Sequence, residues 1–273
     1  MIDDAVSGPD AFSDEERFFF DVNGYLVREG VLSTGEVDVV NSLIDAQRLP
    51  PPAEDLMTQR FSGMLEWGDP FLDLLDHPAV MTVLPSLVGD TMRLDHVYGI
   101  FMRAGTSGLT LHGGATPWDP SQYYVWRDGA AHNGLVGVMW GLSDSGPGDG
   151  GFCCIPGSHK ANLEVPESVA SYGAHRDWLK EVPLPKGSML VFTEALCHGT
   201  LPWQGRAERR TVVYKYAPGH LAWNPPLGWP HDVFGSMRGL GTPSLEFAAT
   251  LGGRRRRLLA PPSVAYRPSV VDC

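Results

Sequence analysis

From residue 92 onward the chain is a series of short apolar runs, 92–103, 109–113, 135–142, 152–155, 188–192 and 211–216, separated by glycine- and proline-rich punctuation. Short runs bounded by such turns read as strands. The clearest turns are Ser145-Gly-Pro-Gly-Asp-Gly-Gly151 and residues 183–187. The first third reads differently. Ser13-Asp-Glu-Glu16 and Ser33-Thr-Gly-Glu36 both carry the capping-box pattern, and the second precedes Val37, Val40, Leu43 and Ile44 at helical spacing. Gly24-Tyr-Leu-Val-Arg28 between them is a strand candidate. Pro50-Pro-Pro52 opens a loop expected to run past Arg60. A further helix is expected after His77, with Pro78 in its first turn and Gly89 near its end. Helices followed by many strands suit a mainly β fold, a double-sheet jelly roll with flanking N-terminal helices. At 273 residues one domain accommodates the whole chain: a helical part over about 1–90, a β core over about 91–220, and an extension over 221–273 where no element is predicted.

A net charge of −11 argues against a nucleic-acid polymer or an anionic membrane surface as partner, since both attract positive charge. The basic run 254–257 stands against this trend and reads as a solvated turn or helix face. No apolar stretch reaches membrane-span length, and Met1-Ile-Asp-Asp4 lacks the basic start and apolar segment of a secretory signal, so a cytoplasmic location is expected. Cys153, Cys154, Cys197 and Cys273 include no CxxC pair, which speaks for reduced thiols rather than a zinc knuckle or a disulfide framework.

The chemistry concentrates around two histidines. His112 sits in the extended run Gly108-Leu-Thr-Leu-His-Gly-Gly114, which is followed by the breaker Pro117. His198 lies far downstream, in Glu194-Ala-Leu-Cys-His-Gly-Thr200. Together with an arginine able to hold an acid, the pair suggests a non-heme iron site, for which the usual protein set is two histidines and one carboxylate on one face of the metal. Side chains alternate along a strand, so His112 and Gly114 are expected on one face and Gly113 on the other. The place expected for the carboxylate then holds Gly114. Arg209 follows His198 by eleven residues and leads into an apolar strand, where it suits a bidentate clamp on the distal carboxylate of 2-oxoglutarate. Thr110 would lie on the same inward face as His112. Arg206 and Arg210 are rivals of Arg209, and Trp203-Gln-Gly-Arg-Ala-Glu-Arg-Arg210 also reads as a surface loop of solvated charges. His77, His96, His132, His175, His220 and His231 read singly as ordinary core or surface histidines.

At these residues the chain resembles the phytanoyl-CoA dioxygenase family. The resemblance rests on Asn23-Gly-Tyr-Leu-Val27, Gly150-Gly-Phe-Cys-Cys-Ile-Pro-Gly-Ser-His-Lys160, Lys186-Gly-Ser-Met-Leu-Val-Phe192, and His198 followed by Arg209, and it spans roughly residues 15–220. It implies an iron(II)/2-oxoglutarate-dependent enzyme that consumes O2 on a double-stranded β-helix, cupin-like core. By the family pattern His159 is not an iron ligand but a loop or active-site-wall residue. The family pattern is His-x-Asp…His, and the chain departs from it at Gly114. Radical halogenases related to these oxygenases carry Gly or Ala there. Gly removes a ligand, a charge and bulk, leaving a vacancy for chloride, which restores the single negative charge. The protein then decides what sits on the metal and where the C–H bond points. The resemblance therefore implies a halogenase chlorinating an unactivated aliphatic C–H, with Fe(II), 2-oxoglutarate, chloride and O2 as cofactors. Two alternatives stay open. One is a hydroxylase with water in the vacancy or a carboxylate from elsewhere, such as Asp119 or Asp128. The other is a catalytically inactive binding protein, which leaves the retained histidines and Arg209 unexplained.

Trp118, Tyr123, Tyr124 and Trp126 belong either to a loop that closes over the metal or to an ordinary packed aromatic loop. No carrier-protein docking signal is visible, so the substrate is expected to be a free small molecule. The resemblance points to a nucleotide such as 2′-deoxyadenosine monophosphate. With four lysines in the chain, positive charge is mostly arginine, which suits phosphate recognition.

Overall fold

A computed structural model of the chain describes residues 11–50, 58–223, 245–265 and 267–272. Both capping boxes form. Ser13 caps α1 (Asp14–Asn23) and Ser33 caps α2 (Thr34–Ala46), each hydroxyl accepting from the N3 amide while Glu16 or Glu36 accepts from the cap amide. Gly24 stops α1 at φ 81, a left-handed conformation that costs glycine little, and the chain turns into β1 (Tyr25–Arg28). The loop expected past Arg60 instead contains β2 (Thr58–Phe61), and α3 (Asp69–Leu75), unpredicted, follows with Pro70 in its first turn. The single helix expected after His77 is two short ones, α4 (Pro78–Met81) and α5 (Leu84–Val88). Pro85 divides them: it has no amide hydrogen to continue α4, yet fits the first turn of α5.

The strands are β3 (Arg93–Met102), β4 (Leu109–His112), β5 (Tyr124–Arg127), β6 (Ala130–Asn133), β7 (Val136–Gly141) and β8 (Gly151–Cys154). After α6 (Glu167–Ala170) come β9 (Lys180–Glu181), β10 (Met189–Thr193), β11 (His198–Leu201) and β12 (Arg209–Ala217). All six expected strands are present, with ends shifted by a residue or two; β2, β9, β11 and the β5–β6 hairpin were not expected.

The strands form a six-stranded antiparallel sheet in the order β1-β10-β7-β12-β3-β2 and a four-stranded antiparallel sheet in the order β4-β11-β8-β9. Neither closes into a barrel. The sheets face each other: Met139, Leu190, Phe192 and Val213 of the larger share one buried cluster with Phe152 and Cys154 of the smaller. Alternation sends Val138, Trp140, Val191, Val212, Tyr214 and Tyr216 to the other face, where they form a core with the N-terminal helices. The Tyr214 and Tyr216 hydroxyls donate to the Phe71 and Leu75 carbonyls of α3 at 2.7 and 2.6 Å, fastening the helical layer to β12.

Two helices, α7 (Leu245–Thr250) and α8 (Gly253–Leu258), lie in the extension where none was predicted. The basic run 254–257 is one of them rather than a merely solvated face. Arg255 pairs with Asp73 of α3 and with Asp76 just past its end, and the Arg254 guanidinium donates to the Val270 carbonyl. His231 and Cys273 lie outside the described residues; Cys153, Cys154 and Cys197 are buried, free thiols. No described helix is long and apolar enough to cross a membrane.

Candidate metal centre

β11 pairs with both β4 and β8 in the smaller sheet, and its register sets His198 directly opposite His112. The two rings lie with centroids 4.3 Å apart at an interplanar angle of 50°. Each is held by its own backbone. His112 Nδ1 lies 3.0 Å from the Thr110 carbonyl and His198 Nδ1 lies 2.7 Å from the Leu196 carbonyl. A carbonyl only accepts, so both Nδ1 atoms carry hydrogen, and Nε2 is the atom each ring can offer to a metal. Burial, and then the neighbouring His112, push His198 down to about 3. It is therefore neutral at physiological pH, the state a ligand needs.

Both histidines open on a cavity of about 290 Å³ between the sheets, lined also by Arg60, His96, Tyr98, Thr110, Gln122, Glu194, Lys215 and Trp223. Thr110 thus joins His112 at the cavity wall. His96, read from sequence as an ordinary histidine, also lines it; its Nδ1 lies 2.7 Å from Asp95 and its ring stacks on Tyr98. Lys215, paired with His96 across β12 and β3, forms an ion pair with Glu194. Burial opposes charge on Glu194, but the Lys215 ammonium outweighs it and holds the carboxyl at about 2.

Glu194 is the site residue that the sequence reading missed. Its signal was faint: one carboxylate in the apolar stretch between Met189 and His198, four residues before the histidine. It lies 3.9 Å from His198 Nε2. Asp119 and Asp128, the carboxylates considered from sequence, are engaged or distant from contact. Asp119 accepts from the Ser121 hydroxyl and the Trp223 indole, and Asp128 is exposed at the turn of the β5–β6 hairpin.

The alternation expected to place Gly114 beside His112 ends at His112, the last residue of β4. Gly113 and Gly114 turn away with φ of 108° and 59°. A Cβ on Gly114 would stand 2.4 Å from the Ala195 carbonyl oxygen, so the position faces backbone and not the cavity. The Gly114 amide donates to the Glu194 carbonyl at 2.9 Å.

Of the three arginines considered, Arg209 alone is buried. Arg206 is exposed, and Arg210 points outward to Asp45 and Glu208. The Arg209 guanidinium lies between the Met102 and Met139 sulfurs at 3.4 and 3.3 Å, its Nε without a partner. Burial alone pushes it down to about 10. The Thr211 hydroxyl, two residues along the same face of β12, is also buried without a partner. Gly151, which packs against Arg209, lies three residues along β8 from Cys154, the partner of His198. That separation is roughly 10 Å at strand rise.

His159 lies outside the cavity lining, its Nε2 donating to the Asp21 carbonyl at 3.0 Å and its ring meeting the edge of Tyr124. Tyr124 and Asp21 are hydrogen-bonded, while Trp118 and Trp126 are exposed. The aromatic segment is thus part hairpin and part surface.

The chain is similar to HygX from Streptomyces hygroscopicus. A HygX structure holding nickel and 2-oxoglutarate is 28% identical, with a TM-score of 0.69 over 83% of this chain and 95% of that one. Another, holding nickel, 2-oxoglutarate and hygromycin B, is 28% identical with a TM-score of 0.67 over 84% and 95%. The fold is also that of SnoN, a non-heme α-ketoglutarate-dependent epimerase from nogalamycin biosynthesis, at 17% identity and a TM-score of 0.54 over 74% and 82%. No curated protein matches the sequence. Residues 20–211 match the family model of phytanoyl-CoA dioxygenase (PhyH), and the chain belongs to that family.

Proposed function

We propose that the chain is an iron(II)/2-oxoglutarate-dependent oxygenase that hydroxylates an aliphatic C–H of a free small molecule. The observation that carries this is the His112–His198 pair, whose Nδ1 atoms are fixed on backbone carbonyls so that both Nε2 atoms are left to one cavity. Iron bound there supplies O2 activation coupled to oxidation of 2-oxoglutarate; the chain holds the ligands, positions the substrate and excludes water. The distal carboxylate of 2-oxoglutarate goes to Arg209. A fully buried guanidinium without an anionic partner is costly unless a ligand completes it. The Thr211 hydroxyl offers a further donor, and Thr110 flanks the cofactor from the His112 side. Similarity to HygX, whose structures hold iron, or nickel with 2-oxoglutarate, supports the cofactor pair.

For the substrate we propose a polar small molecule bearing an anionic group, a nucleotide among them. Arg60 at the cavity lies over the Tyr98 ring, 5.4 Å from its centroid, and Trp223 offers a second aromatic face. Residues 1–273 are taken as one functional unit. The support is that Leu258 and Val270 of the extension share a core with Val37 of α2 and Tyr214 of β12.

Chlorination is the second reading. Its supporting observation is that position 114 carries no carboxylate, so that chloride rather than a protein oxygen would complete the metal. Against it stands the Ala195 carbonyl, which fills the space beyond Gly114. The experiment is anaerobic addition of Fe(II) and 2-oxoglutarate, then air, with succinate measured and products of candidate nucleotides weighed with and without chloride. Succinate with oxygenated product supports hydroxylation, and chlorinated product establishes the second reading. Absence of both succinate and the ferrous–2-oxoglutarate absorption band would leave a binding protein.

A further inference from the structure

We infer that Glu194 is the third protein ligand of the iron, a carboxylate that enters from the turn between β10 and β11 instead of from position 114. This deepens the function proposed above and rests on it. The Gly114 amide donates to the Glu194 carbonyl at 2.9 Å, so the two backbones are hydrogen-bonded neighbours. The carboxylate absent from Gly114 is thus displaced in sequence far more than in space.

Glu194 is held from both sides, because its own amide donates to the Leu135 carbonyl at 2.9 Å. Its side chain lines the same cavity as His112 and His198, and Oε1 lies 3.9 Å from His198 Nε2. Two ligands about 2.1 Å from one metal are roughly 3.0 Å apart at a right angle and roughly 4.2 Å apart when opposed. The observed 3.9 Å is nearer the opposed limit, so the carboxylate turns toward His198 Nε2 to reach the right-angle spacing of a facial set. A carboxylate accepts at about four lone-pair positions, so the Lys215 ammonium leaves capacity for a metal and orients the group as an outer partner. Two imidazoles and one carboxylate would then supply the donor types that non-heme iron uses, without any contribution from Gly114.

The test is binding of cobalt(II) alone, measured by calorimetry and by visible absorption. Glu194→Ala leaves Lys215 buried without a partner and can fail to fold, so Glu194→Ala/Lys215→Met, which removes the pair together, is measured beside it. The double variant is expected to bind cobalt more than about tenfold more weakly than wild type. Added chloride should change its absorption, by entering the emptied position, while leaving wild type unchanged. A loss smaller than about tenfold, or equal chloride sensitivity in both proteins, overturns the inference. His112→Ala and His198→Ala separate it from the parent reading. If they abolish binding while the double variant does not, Glu194 alone is misassigned; if they too bind as wild type, the iron site itself is wrong.

Discussion

Gly151 leaves the space that Arg209 occupies: a Cβ there would stand 2.9 Å from Arg209 Nε. Gly151 also has φ 85, a conformation unfavourable to any residue with a Cβ. Gly151→Ala should therefore cost stability of about 1–3 kcal/mol and raise the 2-oxoglutarate concentration needed for succinate release. Thermal unfolding and a 2-oxoglutarate titration check both. A variant with unaltered 2-oxoglutarate dependence would separate Gly151 from the clamp.

Arg209→Met removes a buried guanidinium and replaces it with an apolar chain of similar length. Stability without ligand should stay level or rise by up to about 2 kcal/mol, since no anion is lost in the folded protein. Wild type at a hundredfold excess of 2-oxoglutarate over its Kd should gain about 2.7 kcal/mol, and Arg209→Met should gain almost none. Arg206→Gln, at an exposed position, should behave as wild type.

Gly114→Asp was the natural way to restore the family's carboxylate. In this backbone the new Cβ meets the Ala195 carbonyl oxygen at 2.4 Å, at φ 59. Gly114→Asp and Gly114→Ala should lose similar stability, about 2–3 kcal/mol, read from the denaturant midpoint. Wild-type stability in Gly114→Asp, with altered product chemistry, would place the side chain at the metal after all.

Much of the fold was legible because local signals agreed with tertiary burial. Both capping boxes and the six apolar runs became elements at their expected places. The unexpected elements carried weaker signals. β11 begins His198-Gly199, residues with little strand character, and is fixed by partners on both sides rather than by its own pattern. The β5–β6 hairpin was hidden in an aromatic stretch, although Asp128-Gly129 at its tip is a hairpin turn signal. The same limit shaped the site. Strand alternation was carried past His112, but the strand stops there, and no period in the sequence links Glu194 to His112. That proximity exists only once β10 and β11 lie in different sheets.

Glu16 provides a pH-dependent contribution remote from the metal. Hydrogen bonding from Arg28 is the main cause that holds its carboxyl below the usual glutamate range, the ion pair closing at 2.8 Å. A depressed carboxyl stabilises the fold above its unfolded value, about 4.3, and the contribution is lost as pH falls through the folded value. Glu16→Gln should therefore flatten the fall in stability below about pH 4.3 while lowering stability at neutral pH. Unfolding midpoints across that range check the sign; an unchanged acid slope would contradict it.

The most direct measurement is anomalous diffraction at the iron edge from crystals soaked anaerobically with Fe(II) and 2-oxoglutarate. The expected result is one peak between the sheets, within bonding distance of Nε2 of His112 and of His198, with the distal carboxylate of 2-oxoglutarate on Arg209. A peak that touches neither histidine, or 2-oxoglutarate anchored away from Arg209, would contradict the assignment of this cavity as the iron site.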